Sequence, residues 1–167
     1  LYHILAPIQL AVLGVKGEYP YRVSANGGLY LLKDGRDIPD VFIMNVDYES
    51  GFTANLISVL TNNSEIPFRI FGRYGTVEIG EQLKLVGNGD FVKEFGEQNQ
   101  GYTEVSLATD ERPDMKENFF NVIRNGGTTY CNVDLGTTTM VAIKMAVESY
   151  RQNRMLIWDA EKEQIVT

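Results

Sequence analysis

His3 is the one side chain in this 167-residue sequence whose charge changes near neutral pH without help from its surroundings. It sits beside Tyr2 in an apolar run. An imidazole there is either a satisfied structural group or a proton donor and acceptor for a reacting hydroxyl. Cys131 is the single cysteine, and no neighbouring His or Lys pulls its thiol into the reactive range, so it reads as inert. One Cys and one His together exclude a Cys/His zinc cluster and an internal disulfide framework. Asp34, Asp37, Asp40 and Asp47 lie close in sequence, yet their spacing fits no calcium loop. Asp37 and Asp40 flank Pro39 at the start of a strand, where they either face a cleft or are solvated loop acids.

A second candidate is Val133-Asp134-Leu135-Gly136-Thr137-Thr138, which resembles the phosphate-binding hairpin of the actin, sugar-kinase and heat-shock ATPase superfamily. In that motif a carboxylate holds the metal, and glycine and threonine hold phosphate. It belongs between two strands, whereas a helical pattern follows here, so Asp134 reads as a helix N-cap. A phosphotransfer fragment would require ATP to bind near Asp134. Gly72-Arg73-Tyr74-Gly75 and Asn125-Gly126-Gly127-Thr128 are not set in a strand–GxGxxG–helix unit, and GxxxxGK[ST] is absent, so both read as turns.

Composition narrows the partners. Twenty-two acids against fifteen bases give a net charge of −7, and no block of Lys or Arg is present to neutralise nucleic-acid phosphates or an anionic membrane. With 44% apolar residues the chain can bury a core, and its length suits one domain. No apolar run reaches the ~20 residues of a membrane-spanning helix, and a cytoplasmic location is the expectation. The chain opens at Leu1 in mid-pattern, without an initiator Met or a signal peptide, which predicts a preceding segment.

Several elements must position these residues. Leu1 to Leu13 reads as a short buried helix with Pro7 inside it and Gly14 closing it. Strands are predicted at 21–26, 29–32, 38–48, 52–60, 69–71, 76–79, 83–86 and 91–95. Gly27-Gly28 and Asp34-Gly35 are read as tight turns between them. The clearest hairpin joins 38–48 to 52–60 through Glu49-Ser50-Gly51. Short connections imply antiparallel pairing. Pro113 to Arg124 predicts a helix stopped by Asn125-Gly126-Gly127. Leu135 to Arg151 predicts another, with Met140, Ile143, Val147 and Tyr150 on one face and a Lys144–Glu148 pair outside. Leu156 to Trp158 reads as a closing edge strand. The fold class is therefore α+β: a large open, mainly antiparallel sheet packed on helices from both ends of the chain.

The hairpin strands carry apolar residues on both faces. Phe42, Met44 and Val46 alternate with Val41 and Ile43, and Ala54 and Leu56 alternate with Ile57 and Val59. Helices can cover one face. The second stripe implies either another subunit or domain or β-branched residues kept for strand propensity.

The order of elements resembles a known family. A His-bearing helix precedes a sheet containing Ile38-Pro39-Asp40 and Tyr48-Glu49-Ser50-Gly51-Phe52-Thr53. Ile70-Phe-Gly-Arg-Tyr-Gly-Thr-Val-Glu78, Asn118-Phe-Phe-Asn-Val-Ile-Arg-Asn-Gly126 and Met145-Ala-Val-Glu-Ser-Tyr-Arg151 follow. Nearly the whole chain is thus similar to the C-terminal domain of the glucose–fructose oxidoreductase / inositol dehydrogenase (Gfo/Idh/MocA) family. The resemblance implies an N-terminal Rossmann domain of the same polypeptide, outside this chain, that binds NAD or NADP. It implies a C-terminal domain that shapes a pocket for a carbohydrate-like substrate and forms a homodimer or homotetramer through its sheet. It also implies that His3 is the catalytic or substrate-contacting residue, eleven positions before Gly14, with the family's Lys in the other half. Such a chain alone binds no cofactor and turns over no sugar, cyclitol or polyol. The rival reading is a non-catalytic module that associates through its sheet.

Overall fold

The computed structural model describes residues 1–109 and 114–166, an α+β arrangement of helices and antiparallel sheets. In chain order the helices are α1 (Tyr2–Leu13), α2 (Val92–Gln98), α3 (Met115–Asn125) and α4 (Val133–Gln152). The strands are β1 (Arg22–Gly28), β2 (Val41–Asp47), β3 (Thr53–Val59), β4 (Phe68–Phe71), β5 (Gly75–Ile79), β6 (Leu83–Gly87), β7 (Glu104–Ser106), β8 (Leu156–Asp159) and β9 (Gln164–Val166). They form a five-stranded sheet, β3-β2-β1-β8-β9, and a four-stranded one, β4-β5-β6-β7. The chain divides into two compact units, Leu1–Asn63 with Met115–Thr167, and Ser64–Asp114.

The five-stranded sheet is built on the predicted hairpin, whose turn takes a positive φ at Gly51. Its register sets Met44 between Ala25 and Leu56, and Val46 between Val23 and Ala54, all facing the core. Burying each large apolar side chain there contributes roughly 1.5–3 kcal/mol. Helix α4 packs on this face through Thr139, Ala142, Met145, Ala146 and Ser149. The buried stripe lies beside the predicted one: Ile143 and Tyr150 pack at the margin of the core, but Met140 is exposed, and Ala142 and Ala146 let the helix lie close to β1. The far end of α4 is sewn to the sheet by Ser149 Oγ, which accepts from Ala25 N–H at 2.9 Å and donates to the Arg154 carbonyl.

Other boundaries moved for identifiable reasons. Gly27 and Gly28 lie within β1, paired with Phe42 and Val41, rather than in a turn. Residues 29–32 are a loop, because their N–H groups have a stronger acceptor than a strand partner. Tyr30 N–H donates to both Asp40 oxygens at 3.0 and 3.1 Å, and Leu31 and Leu32 donate to Oδ2 at 2.7 and 2.9 Å. Asp40 is fully buried rather than solvated. Residues 91–95 run from a 3-10 turn into α2 instead of forming a strand. Phe95, buried, packs where Cβ atoms at Gly75 and Gly87 would stand 3.0 Å from its ring. The cap of α4 is Asn132, not Asp134. Its Oδ1 accepts from Leu135 N–H at 2.9 Å while its Nδ2 donates to the Val15 carbonyl, a double task that a carboxylate cannot perform. Strand β8 is interior to its sheet, since β9 forms the edge. Helix α3 begins at Met115, and Pro113 lies outside the described residues.

Asp40 yields a prediction. The N–H groups of Leu32, then Tyr30 and Leu31, hold its carboxyl below the usual carboxylate range. A depressed folded value stabilises the fold above about pH 4 and is lost as pH falls below that. Asp40→Asn places an amide donor against N–H donors. Urea denaturation should show the variant less stable at pH 7, with the difference from wild type shrinking between about pH 4 and pH 2. An unchanged gap across that range would contradict the assignment.

Candidate functional site

The helical start of the chain converges with α4 on an open apolar groove of about 680 Å³, within the usual range for small-molecule sites. Tyr2 from α1, Val133, Gly136, Met140 and Lys144 from α4, and Trp158 from β8 all line it. Its position follows from the packing of α1 on α4. Gln9, fully buried, holds that contact: Nε2 donates to Tyr48 Oη at 2.9 Å, and Oε1 accepts from Thr138 Oγ1 at 3.0 Å. Burial raises the Tyr48 phenol above its ordinary value, so it remains neutral.

His3 is exposed on α1, its ring edge-on to Tyr2 with centroids 5.8 Å apart. Pro7 lies inside the helix, so the His3 carbonyl lacks the N–H that would otherwise bond it. The Tyr2 hydroxyl meets Cys131 Sγ at 3.2 Å, joining residues 129 positions apart. That hydrogen bond, with partial burial, raises the Tyr2 phenol. Cys131 itself is exposed. Asp134 stands in the first turn of α4, between the capping Asn132 and the groove residue Gly136.

The four acids do not gather. Asp34 pairs with Arg36 and is held down to about 2, Asp47 pairs with Arg22 and Thr53, Asp40 is enclosed by its loop, and Asp37 is exposed. Among the described residues no group of three His, Cys, Asp or Glu side chains is arranged to hold a metal. The Gly72–Gly75 turn closes between β4 and β5, and Gly126-Gly127 follows the end of α3. Neither stands as a strand-to-helix phosphate turn. Neither turn therefore offers a cradle for a dinucleotide's phosphates.

Sequence reasoning missed Tyr2, Met140 and Trp158 as groove residues. An aromatic beside the lone histidine was the available signal. The outward rotation of Met140 was not legible, because it depends on which face of α4 meets β1.

Trp158 is the only tryptophan and reports on this groove. An apolar dye such as anilinonaphthalene sulfonate is expected to quench it by energy transfer. Met140→Lys, at a residue 51% exposed, is expected to weaken that binding several-fold without moving the urea midpoint. Equal quenching in both proteins would remove the groove as a binding surface.

The family model described as "Oxidoreductase family, C-terminal alpha/beta domain" matches residues 12–157. Among curated proteins no sequence match is found. The fold is similar to an NAD-binding protein from Listeria innocua, with TM-score 0.68 and 20% identity over 93% of this chain and 49% of that one. It is similar to an aldose-aldose oxidoreductase from Caulobacter crescentus complexed with glycerol, with TM-score 0.68 and 18% identity over 93% and 45%. A UDP-N-acetylglucosamine 3-dehydrogenase from Acidithiobacillus ferrooxidans is a further structural neighbour, with TM-score 0.64 and 18% identity over 90% and 45%. The chain spans about half the length of these structures.

Proposed function

The chain belongs to the glucose–fructose oxidoreductase / inositol dehydrogenase (Gfo/Idh/MocA) family as its C-terminal α/β domain, and from that premise we propose that it is the substrate and assembly half of an NAD(P)-dependent dehydrogenase. The substrate class is a sugar, cyclitol or related polyol oxidised or formed at a carbinol carbon. The observation that carries the reading is the family match over residues 12–157 in a chain about half as long as its structural neighbours. The cofactor belongs to an N-terminal Rossmann domain of the same polypeptide. A neighbour described as an aldose-aldose oxidoreductase and another as a UDP-N-acetylglucosamine 3-dehydrogenase support a carbohydrate-like substrate.

In this proposal the nicotinamide, when bound by the other half, supplies hydride acceptance. This chain's own residues orient the polyol and handle its proton. His3, exposed in the first turn of α1, takes the hydroxyl proton as the carbinol carbon is oxidised and returns it in the reverse direction. Tyr2 and the apolar wall around Met140 and Trp158 exclude water from one side. The open face of the five-stranded sheet, bearing Ile43, Asn45, Asn55 and Ile57, associates with a second copy to form a dimer or tetramer.

Two measurements test the catalytic part. The 167-residue chain alone is expected to show no saturable NAD or NADP binding by calorimetry at millimolar cofactor; tight binding would sink the division of labour. In the polypeptide joined to its nucleotide-binding half, His3→Ala is expected to lower kcat by about 10²–10⁴-fold while the cofactor Kd stays unchanged. A variant with wild-type kcat would remove His3 from the proton path.

A further inference from the structure

We infer that the groove between α1, α4 and β8 binds an uncharged aromatic substituent of the substrate. The substrate is then an aryl glycoside or aryl ether of a polyol, not the bare sugar. The inference rests on the proposed dehydrogenase reading and narrows its substrate class.

The polar groups that line the groove are mostly used within the protein. Thr137 Oγ1 donates to the Val133 carbonyl at 2.8 Å, and Lys144 Nζ donates to Glu148 Oε1 at 2.7 Å. The Trp158 Nε1–H is buried from solvent, so no oxygen of a ligand in the groove reaches it. A bare polyol would lose water from several hydroxyls here and find little to replace it. What remains suits an aromatic ring. Tyr19 stacks on the Trp158 indole, with centroids 5.4 Å apart and planes 16° from parallel, and fixes it as an aromatic wall. Met140 adds a thioether, which favours the edge of an aromatic ring. The volume of about 680 Å³ also suits a ligand larger than one sugar ring.

The Tyr2 hydroxyl is the exception. Its partner is the Cys131 thiol at 3.2 Å, a weak donor and acceptor that a ligand oxygen can displace with gain. Gly136 leaves that hydroxyl uncovered, since even a Cβ there would stand only 3.5 Å from it. The same ring lies edge-on to His3, with centroids 5.8 Å apart. The one oxygen the groove can hold therefore sits near the proposed proton acceptor. A glycosidic or ether oxygen meets that requirement, with the polyol towards His3 and the aromatic group along α4. Charge selects a neutral ligand. Glu148 compensates Lys144, and a chain of net charge −7 repels anions.

Calorimetry with matched phenyl and methyl β-glucosides tests this, on the 167-residue chain and on the polypeptide joined to its nucleotide-binding half. Phenyl glucoside is expected to bind at least about tenfold tighter than methyl glucoside in both proteins. Met140→Lys is expected to cut that preference to about twofold or less, and Tyr2→Phe to weaken the phenyl glucoside about fivefold. Val133→Lys, at a residue 79% exposed, repeats the first test should Met140→Lys fail to fold. Equal affinities for the two glucosides, or a preference that the lysine variants leave intact, overturn the inference. A preference present in the chain alone and lost in the joined polypeptide also overturns it, because the other half then covers the groove. In the joined polypeptide, reduction of NAD or NADP is expected with a kcat/KM at least about tenfold higher for phenyl than for methyl glucoside. Equal values there overturn the inference as well. Should binding follow the expected pattern while neither glucoside is oxidised, the groove assignment stands and the dehydrogenase reading falls.

Discussion

The close approach of α4 to β1 is the contact on which the larger unit depends. Ala142 and Ala146 have almost no side chain to keep helix and sheet apart, and Thr139 and Ser149 continue the same narrow stripe. With the backbones near each other, Ser149 reaches the Ala25 N–H, and Met44, Val23 and Leu135 fill the remaining space. The outward turn of Met140 and Val133 is the geometric complement of that choice. Met140 and Val133 are left outside the buried stripe and become groove wall, while Leu135 and Met145 stay buried.

The second dependence is polar. Gln9 is fully buried, and its amide spans Tyr48 and Thr138, tying α1 to the end of β2 and to α4. A buried amide left without these partners would cost about 1–3 kcal/mol, so the network selects one seating of α1. That seating sets where Tyr2 and His3 stand. Asn132 works in the same way at the start of α4, capping the helix and holding the segment after α1 through Val15.

Asp40 shows where local pattern and tertiary structure part. By sequence it belongs to a run of loop acids, and residues 29–32 have the composition of a strand. Enclosed beneath the loop, its carboxylate is a better acceptor for three consecutive N–H groups than a neighbouring strand, and those residues follow it. The long hairpin was legible because its alternation and glycine turn are local. The helices were legible from period and stop signals, though of the expected inner face of α4 Ile143 and Tyr150 pack at the margin of the core while Met140 is exposed, and the cap was misassigned. Phe91 to Phe95 was misread because strand-like apolar spacing over five residues also fits a short helix.

Residue types and order alone determined the α+β class, the antiparallel hairpin, the absence of a zinc cluster or disulfide framework, and the family, because these rest on counts, periodicity and the sequence of motifs. Tertiary structure decided which side of α4 is buried, that Asp40 is enclosed rather than solvated, that Tyr2 meets Cys131, and where Tyr30 lies. Each of these depends on groups distant in sequence competing for the same donors, acceptors or space. No local pattern ranks such competitors, since the winner is set by how closely the folded backbones approach.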